Sequence, residues 1–212
     1  MKRETRLEAH CRALGACRAC DLATDIVPIV SRATSPKVML VGQAPGKVEA
    51  AGGRPFAGRA GKTLFRWLER AGIDEHTARR RIYIAAVTRC YPGPSPSGRG
   101  DRVPSNDEQA SCAKWLDAEL DIIRPKLLIP VGRLAMLRFL PNLPLEELIG
   151  KAHDVEHKAG RSIAIPLPHP SGASSWIHQG NHPQLLDAAL SLIRQELSRL
   201  GIVPDAGNRS VA

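Results

Sequence analysis

The chain has 212 residues, with 30 Lys plus Arg against 21 Asp plus Glu and a formal net charge of +9. That length allows one sizeable α/β domain with a complete core, and the positive excess points to a polyanionic partner, nucleic acid first. No stretch approaches the ~20 apolar residues of a membrane span, and the opening MKRETRLEAHCRALG lacks the apolar run of a secretory signal. We therefore expect a cytoplasmic, nucleoid-associated protein, in which five cysteines point to metal or free thiols before disulfides.

A short helical segment leads into Cys17 and Cys20, a C-x-x-C pair. Val38–Gly42 reads as a buried strand, a continuous apolar run stopped by a Gly/Pro turn, GQAPG. Gly61–Ala71 reads as a helix with Leu64, Leu68 and Ala71 on one face, and Arg81–Val87, RIYIAAV, as a second strand. The Pro/Gly/Ser-rich stretch Tyr91–Asn106 is a surface loop. Ser105 and Glu108 have capping-box spacing, and Ala113, Leu116, Leu120 and Ile123 then form a core-facing helical stripe. Lys126–Gly132 is a third strand, Gly132 opens a short helix through Phe139, and Ser162–Pro168 is a fourth strand. A final helix from about Pro183 to Leu200 turns Leu186, Ala189, Leu190, Ile193 and Leu197 inward.

Strands alternating with helices predict a parallel sheet covered on both faces, the α/β class, here as a single domain over residues 1–203 with a flexible tail at 204–212. In such sheets ligands gather at the carboxyl ends of the strands. Gly42–Gly46, Val87–Cys90 and His169–Trp176 all follow strands, so they can converge on one cleft while lying far apart in sequence.

Cys90 ends the second strand and Cys112 lies in the first turns of the following helix. With Cys17 and Cys20 they make four thiols, enough for a tetrahedral zinc site or an iron–sulfur cluster, and residue spacing alone does not separate the two. Read singly, Cys90 and Cys112 are also ordinary buried small residues. Cys11 fits no ligand spacing and reads as a packed or free thiol.

Taken together, these segments resemble the uracil-DNA glycosylase superfamily, above all its iron–sulfur members usually numbered families 4 and 5. GQAPGKVEAAGGRPFAGRAGKTLFRWLERAGI resembles the first motif, in which a G-E-A-P-G or G-L-A-P turn precedes G-R-P-F-x-G-x-A-G. YIAAVTRCYPG is similar to the second conserved segment, DRVPSNDEQASC to an N-R-x-P-x-x-x-E-x-x-x-C stretch, and LPHPSGASSW to the second catalytic motif. The resemblance implies a three-layer α/β/α fold around a four-stranded parallel sheet. It also implies a 4Fe–4S cluster on Cys17, Cys20, Cys90 and Cys112, with the N-terminal ligand segment at about residues 11–22. Two departures stand out: Gln43 replaces the family 4 Glu, and Ala86 replaces an Asn that reads the uracil edge.

The implied function is a monofunctional DNA repair glycosylase that hydrolyses the N-glycosidic bond of uracil and leaves an abasic site. Its partner would be DNA, single- or double-stranded, and the enzyme is expected to act as a monomer. Phe56 is the expected stacking platform for a flipped base, since base–aromatic stacking is worth ~1–3 kcal/mol. His169 is the expected donor to the departing base anion, as a neutral imidazole. Gln43 cannot take a proton as a carboxylate does, so it is expected to orient water or contact the base, with Gly42, Ala44, Pro45 and Gly46 completing the turn and backbone N–H groups around Ala44 and Gly46 binding base or phosphate. Ala86 gives the pocket an apolar wall, which predicts tolerance of other deaminated bases such as hypoxanthine or xanthine. Arg54, Arg59, Lys62 and Arg102, the hydroxyls of Ser171, Ser174 and Ser175, and Trp176 as a wedge are the expected DNA contacts, although each charge alone reads as a solvated surface group.

Two other readings compete. One is a lesion or abasic-site binder of the same fold, non-catalytic or covalent; the covalent branch of the superfamily carries a basic, His-containing insertion that does not occur here. The other is a zinc-bound nucleotide-binding protein, against which the turn lacks the Lys-Ser/Thr ending of a P-loop.

Overall fold

The computed structural model describes residues 5–20, 22, 26–98, 100–171 and 176–204. Its centre is one sheet, formed by β1 (Val38–Gly42), β2 (Ile82–Ala86), β3 (Leu127–Pro130), β4 (His153–His157) and β5 (Gly160–Ala164), in the spatial order β2-β1-β3-β5-β4. The strands β2, β1, β3 and β5 run parallel, and β4 pairs antiparallel with β5, Val155 opposite Ser162. All five residues of β1 are buried although successive side chains point to opposite faces, so both faces of the sheet are covered.

The sheet thus has five strands rather than the expected four. HDVEH contains one apolar residue, Val155, and so carries no hydrophobic signal; an edge strand needs little more. Gly160, at φ 126°, makes the tight turn that brings the hairpin back. The fourth expected strand is correspondingly shifted: β5 begins at Gly160, and only a single bridge, Val131 to Leu167, prolongs the parallel pairing beyond it.

Eight helices are assigned among the described residues: α1 (Arg6–Gly15), α2 (Lys47–Gly52), α3 (Arg59–Arg70), α4 (Glu75–Arg81), α5 (Asn106–Ile123), α6 (Arg133–Met136), α7 (Leu145–Leu148) and α8 (His182–Arg199). The capping box at Ser105 and Glu108 starts α5 as expected, and α8 buries the five apolar residues assigned to its inner face. The helices missed from sequence, α2, α4 and α7, have seven residues or fewer, too few for a periodic stripe to declare itself. Among the described residues no helix is long and apolar enough to cross a membrane.

Backbone bonds tie the strand ends together on one side of the sheet. Val87 N–H donates to Gly42 O (3.0 Å) and Thr88 N–H to Gln43 O (3.2 Å), while Gly132 N–H donates to Leu167 O (2.9 Å). The chain segments leaving β1, β2, β3 and β5 are therefore held side by side at the carboxyl edge, where a parallel sheet opens its crevice.

Candidate active site and four-cysteine cavity

A cavity of about 360 Å³ opens at that edge. Its walls include Gly42 to Gly46 at the end of β1, Phe56, Ala86 and Arg89 at the end of β2, Asp101 and Arg102 from the Pro/Gly loop, and His169 and Ser171 after β5. Phe56 and His169, from segments more than a hundred residues apart, share one chamber.

Phe56 is held there by several constraints. Its ring lies over Gly42, where an added Cβ would stand 3.0 Å from Cζ. Its backbone takes φ 50°, a left-handed value uncommon for a residue with a bulky side chain. Arg79 holds the loop in that shape, donating from Nη1 to Pro55 O (2.8 Å) and from Nη2 to Phe56 O (3.1 Å). Gly61 lets α3 approach: a Cβ there would lie 1.9 Å from Phe56 O. An aromatic fixed this rigidly loses little freedom when a ligand stacks on it.

His169 lies against Gly132, whose φ of 84° and missing side chain leave room for the imidazole. The Ser171 backbone N–H donates to His169 Nδ1 (3.2 Å), and the Ser171 hydroxyl is 2.9 Å from the same nitrogen. A backbone N–H can only donate, so Nδ1 is an acceptor and the proton resides on Nε2. Burial lowers the imidazole's pKa from its ordinary value, which keeps the ring neutral. The result is a neutral histidine with an N–H donor at Nε2.

The GQAPG turn is fixed by Glu49, which sequence reading overlooked. Its carboxylate accepts from Gly46 N–H (3.1 Å) and Gly58 N–H (2.8 Å), bridging the turn to the start of α3. Gly46 N–H is thus committed to Glu49 and is not the free anion donor expected of it; Gly46 instead contributes open space, since a Cβ there would lie 2.8 Å from Asp101 Oδ2. Asp101 is the second carboxylate that sequence reading missed. It arrives on the Pro/Gly loop, pinned by a bridge to Pro94, and takes a hydrogen bond from the Tyr91 hydroxyl. Gln43 and Ala86 line the cavity as expected.

The expected DNA contacts divide. Arg54, Arg59 and Lys62 are exposed on the segments after the first turn. Arg102 reaches the cavity wall but makes a bidentate pair with Glu108 (2.7 and 2.6 Å), so its charge is largely matched. Ser171 faces His169, which makes it a support for the imidazole. Trp176 is not the free wedge expected: its ring stacks on His182 at 4.1 Å and its Nε1 is buried. Ser174 and Ser175 lie outside the described residues.

A second cavity, of about 380 Å³, shares Arg89 with the first, and its walls carry Cys17, Cys20, Cys90 and Cys112 together. Cys11 stays apart, packed with its thiol 3.6 Å from the Tyr83 hydroxyl. Burial and the neighbouring thiols Cys112, Cys20 and Cys17 push the Cys90 pKa up to about 12. Burial raises Cys112 and Cys20 as well, Cys20 with Cys17 contributing. Cys20, Cys90 and Cys112, raised in this way beside Cys17, suit a strongly cationic group that would hold the sulfurs as thiolates. Among the described residues no three His, Cys, Asp or Glu side chains stand close enough to grip a single metal ion. Four thiols lining one chamber are the donor set that an iron–sulfur cluster takes, and equally that of a tetrahedral zinc ion.

The sequence model of the Uracil DNA glycosylase superfamily matches residues 30–194. A type-4 uracil-DNA glycosylase of Thermotoga maritima is 30% identical over 171 residues, covering 80% of this chain and 83% of that protein. The type-4 enzyme of Archaeoglobus fulgidus is 32% identical over 169 residues, 76% and 79% of the two chains, and a type-5 uracil-DNA glycosylase of Pyrobaculum aerophilum is 31% identical over 149 residues, 64% and 61%. With the fold and this match over most of its length, the chain belongs to the uracil DNA glycosylase superfamily, in the neighbourhood of its type-4 and type-5 members.

Proposed function

We propose that the protein is a monofunctional DNA glycosylase that hydrolyses the N-glycosidic bond of uracil in DNA and accepts other deaminated bases. One observation carries the reading: a rigidly held aromatic ring, Phe56, and a neutral histidine, His169, face the same cavity at the carboxyl edge of the sheet. The chamber's size falls in the range of roughly 300–1,000 Å³ found for small-ligand pockets.

The chemistry follows from the residues. Extrusion of a base costs a few kcal/mol, which stacking on Phe56 offsets in part. As the C1′–N bond breaks, the electron pair leaves with the base, and the Nε2–H of His169 donates to the anionic base oxygen. The sugar becomes oxocarbenium-like and is met by water. Gln43 accepts a hydrogen bond from that water and orients it, and the carboxylate of Asp101, which lies against Gly46 of the same turn, takes its proton. With Asp101 taking the proton, position 43 need only place the water, and an amide suffices there. Ala86 presents no polar edge to the base, so the pocket lacks a device for rejecting hypoxanthine or xanthine.

DNA is the partner, held through exposed Arg54, Arg59 and Lys62 by phosphate contacts that position without reading sequence. Cys17, Cys20, Cys90 and Cys112 would hold a 4Fe–4S cluster, whose contribution when bound is a covalent cross-link of the segment after α1 to the end of β2 and the start of α5. The test is incubation with oligonucleotides bearing uracil, hypoxanthine or xanthine, followed by alkali. Strand breaks at all three lesions are expected; cleavage at uracil alone refutes the broad spectrum, and intact strands with tight binding refute catalysis.

A further inference from the structure

Arg89 belongs to the walls of both cavities. It stands between Thr88 and Cys90, just past the end of β2, and its side chain is 2% exposed. One arm of the guanidinium, Nη2, pairs with the fully buried carboxylate of Glu119. That carboxylate is itself held by the Tyr83 hydroxyl (2.8 Å) and lies 3.3 Å from His10 Nε2. The other donors, Nε and Nη1, are buried and have no hydrogen-bond partner. The backbone is fixed as well: Arg89 O accepts from Ile29 N–H (2.8 Å), and Ile29 lines the Phe56–His169 cavity.

Unpartnered donors on a buried cation are costly, and native structures rarely keep them without an acceptor for the working molecule. The acceptors such a group prefers are anionic. The chamber of four thiols would present them on one side, and hydrogen bonds to cluster sulfurs tune a cluster's stability and potential. The same residue, its guanidinium clamped by Glu119, also lines the Phe56–His169 cavity in which a flipped base would rest.

We propose that Arg89 is a positioning residue that couples the two cavities: its free Nε and Nη1 donors serve the group held by the four cysteines, and occupancy of one chamber thereby sets the wall of the other. The proposal rests on the reading of the first cavity as a base pocket and of the second as a cluster site. Coupling of this kind is reciprocal, so a ligand in the base pocket must also alter how firmly the cluster is held.

The experiment uses the purified iron-containing protein and an oligonucleotide bearing 2′-fluoro-2′-deoxyuridine, whose glycosidic bond resists cleavage. Binding is followed by fluorescence anisotropy, and the rate at which a chelator strips iron is followed by absorbance. In the wild type the bound oligonucleotide is expected to slow iron loss by at least about 5-fold, the lower end of ordinary coupling strengths. Arg89→Lys keeps a cation for Glu119 but removes the guanidinium fork. It is expected to retain the wild-type iron content and to bind the oligonucleotide, yet to lose iron at the same rate with or without it. A merely structural role would be rescued by lysine, so wild-type protection in Arg89→Lys overturns the proposal, as does the absence of protection in the wild type. A protein that binds iron but not the oligonucleotide defeats the base-pocket reading, one that binds the oligonucleotide but no iron defeats the cluster reading, and either takes the proposal with it.

Discussion

Replacing Gly61 by alanine sets two effects of opposite sign against each other. In a helix interior alanine is favoured over glycine by about 1 kcal/mol, so an exposed or roomy site would gain stability. Here the new methyl would stand 1.9 Å from Phe56 O and 2.5 Å from Phe56 C, whereas ordinary contact begins at 3.4 Å. The obstacle is backbone, held by two hydrogen bonds from Arg79, and cannot turn aside as a side chain would. Overpacking of this kind costs about 1–3 kcal/mol, which exceeds the propensity gain. Relief requires the Pro55–Phe56 loop to move, and the ring then leaves its seat over Gly42. Loss of the stacking platform removes a further ~1–3 kcal/mol of substrate interaction. Gly61→Ala is therefore expected to lower the melting temperature and to reduce kcat/KM on uracil-containing oligonucleotides by about 5- to 150-fold, the rate equivalent of that loss. Thermal unfolding and steady-state excision read the two quantities separately. Because the kinetic effect acts through Phe56, adding Gly61→Ala to Phe56→Ala should cost little further activity. A Gly61→Ala protein as stable and as active as wild type would refute the account of how the ring is held.

Asp101→Asn is expected to lower the single-turnover rate by about 10²-fold, within the ordinary worth of a general base, with little change in DNA affinity; an equal loss in both would make Asp101 a binding residue instead. Because burial lowers the His169 pKa, the unfolded chain takes up a proton before the folded one as pH falls, so the stability tied to this residue is present above about pH 6.5 and is lost below it. Wild type should accordingly lose more melting temperature between pH 7 and pH 5 than His169→Gln, and parallel losses would count against the buried neutral imidazole. Glu119→Ala strands the buried Arg89 cation and is expected to cost about 3–5 kcal/mol in denaturant unfolding; a cost below 1 kcal/mol would show that the pair is not the clamp described. Ala86→Asn is expected to sharpen selectivity for uracil over hypoxanthine in competition assays, and an unchanged ratio would remove position 86 from specificity.

Much of the architecture could be read from residues because the buried strands advertise themselves. VMLVG, IYIAA and LLIP are continuous apolar runs, and the capping box at Ser105 and the inward stripe of α8 are local signals that survived intact in the fold. Strand β4 was hidden because an edge needs one buried side chain, and α2 and α4 because a helix of two turns or fewer has no measurable period. Phe56 could be singled out as an aromatic in a Gly-flanked loop and His169 as the residue that follows an apolar run, and the family-like motifs around both suggested their roles. What stayed hidden depends on distance in space. Nothing in the sequence pairs Glu49 with Gly58, brings Asp101 over Gly46, or runs Arg89 between two chambers, since each relation is made by chain segments meeting in the fold. The same limit explains why the Gly46 N–H and the Trp176 ring look available until Glu49 and His182 are seen to engage them.

The proposed activity depends on Phe56 and His169 together receiving an extruded base and letting it go as an anion. Mass spectrometry of a uracil-containing oligonucleotide after a single turnover, with the protein in excess, tests it most directly. Free uracil and an oligonucleotide carrying one abasic site are expected, with the protein's own mass unchanged and this product lost in both Phe56→Ala and His169→Gln. An intact oligonucleotide, a protein that gains the mass of the DNA, or full product from either variant would contradict it.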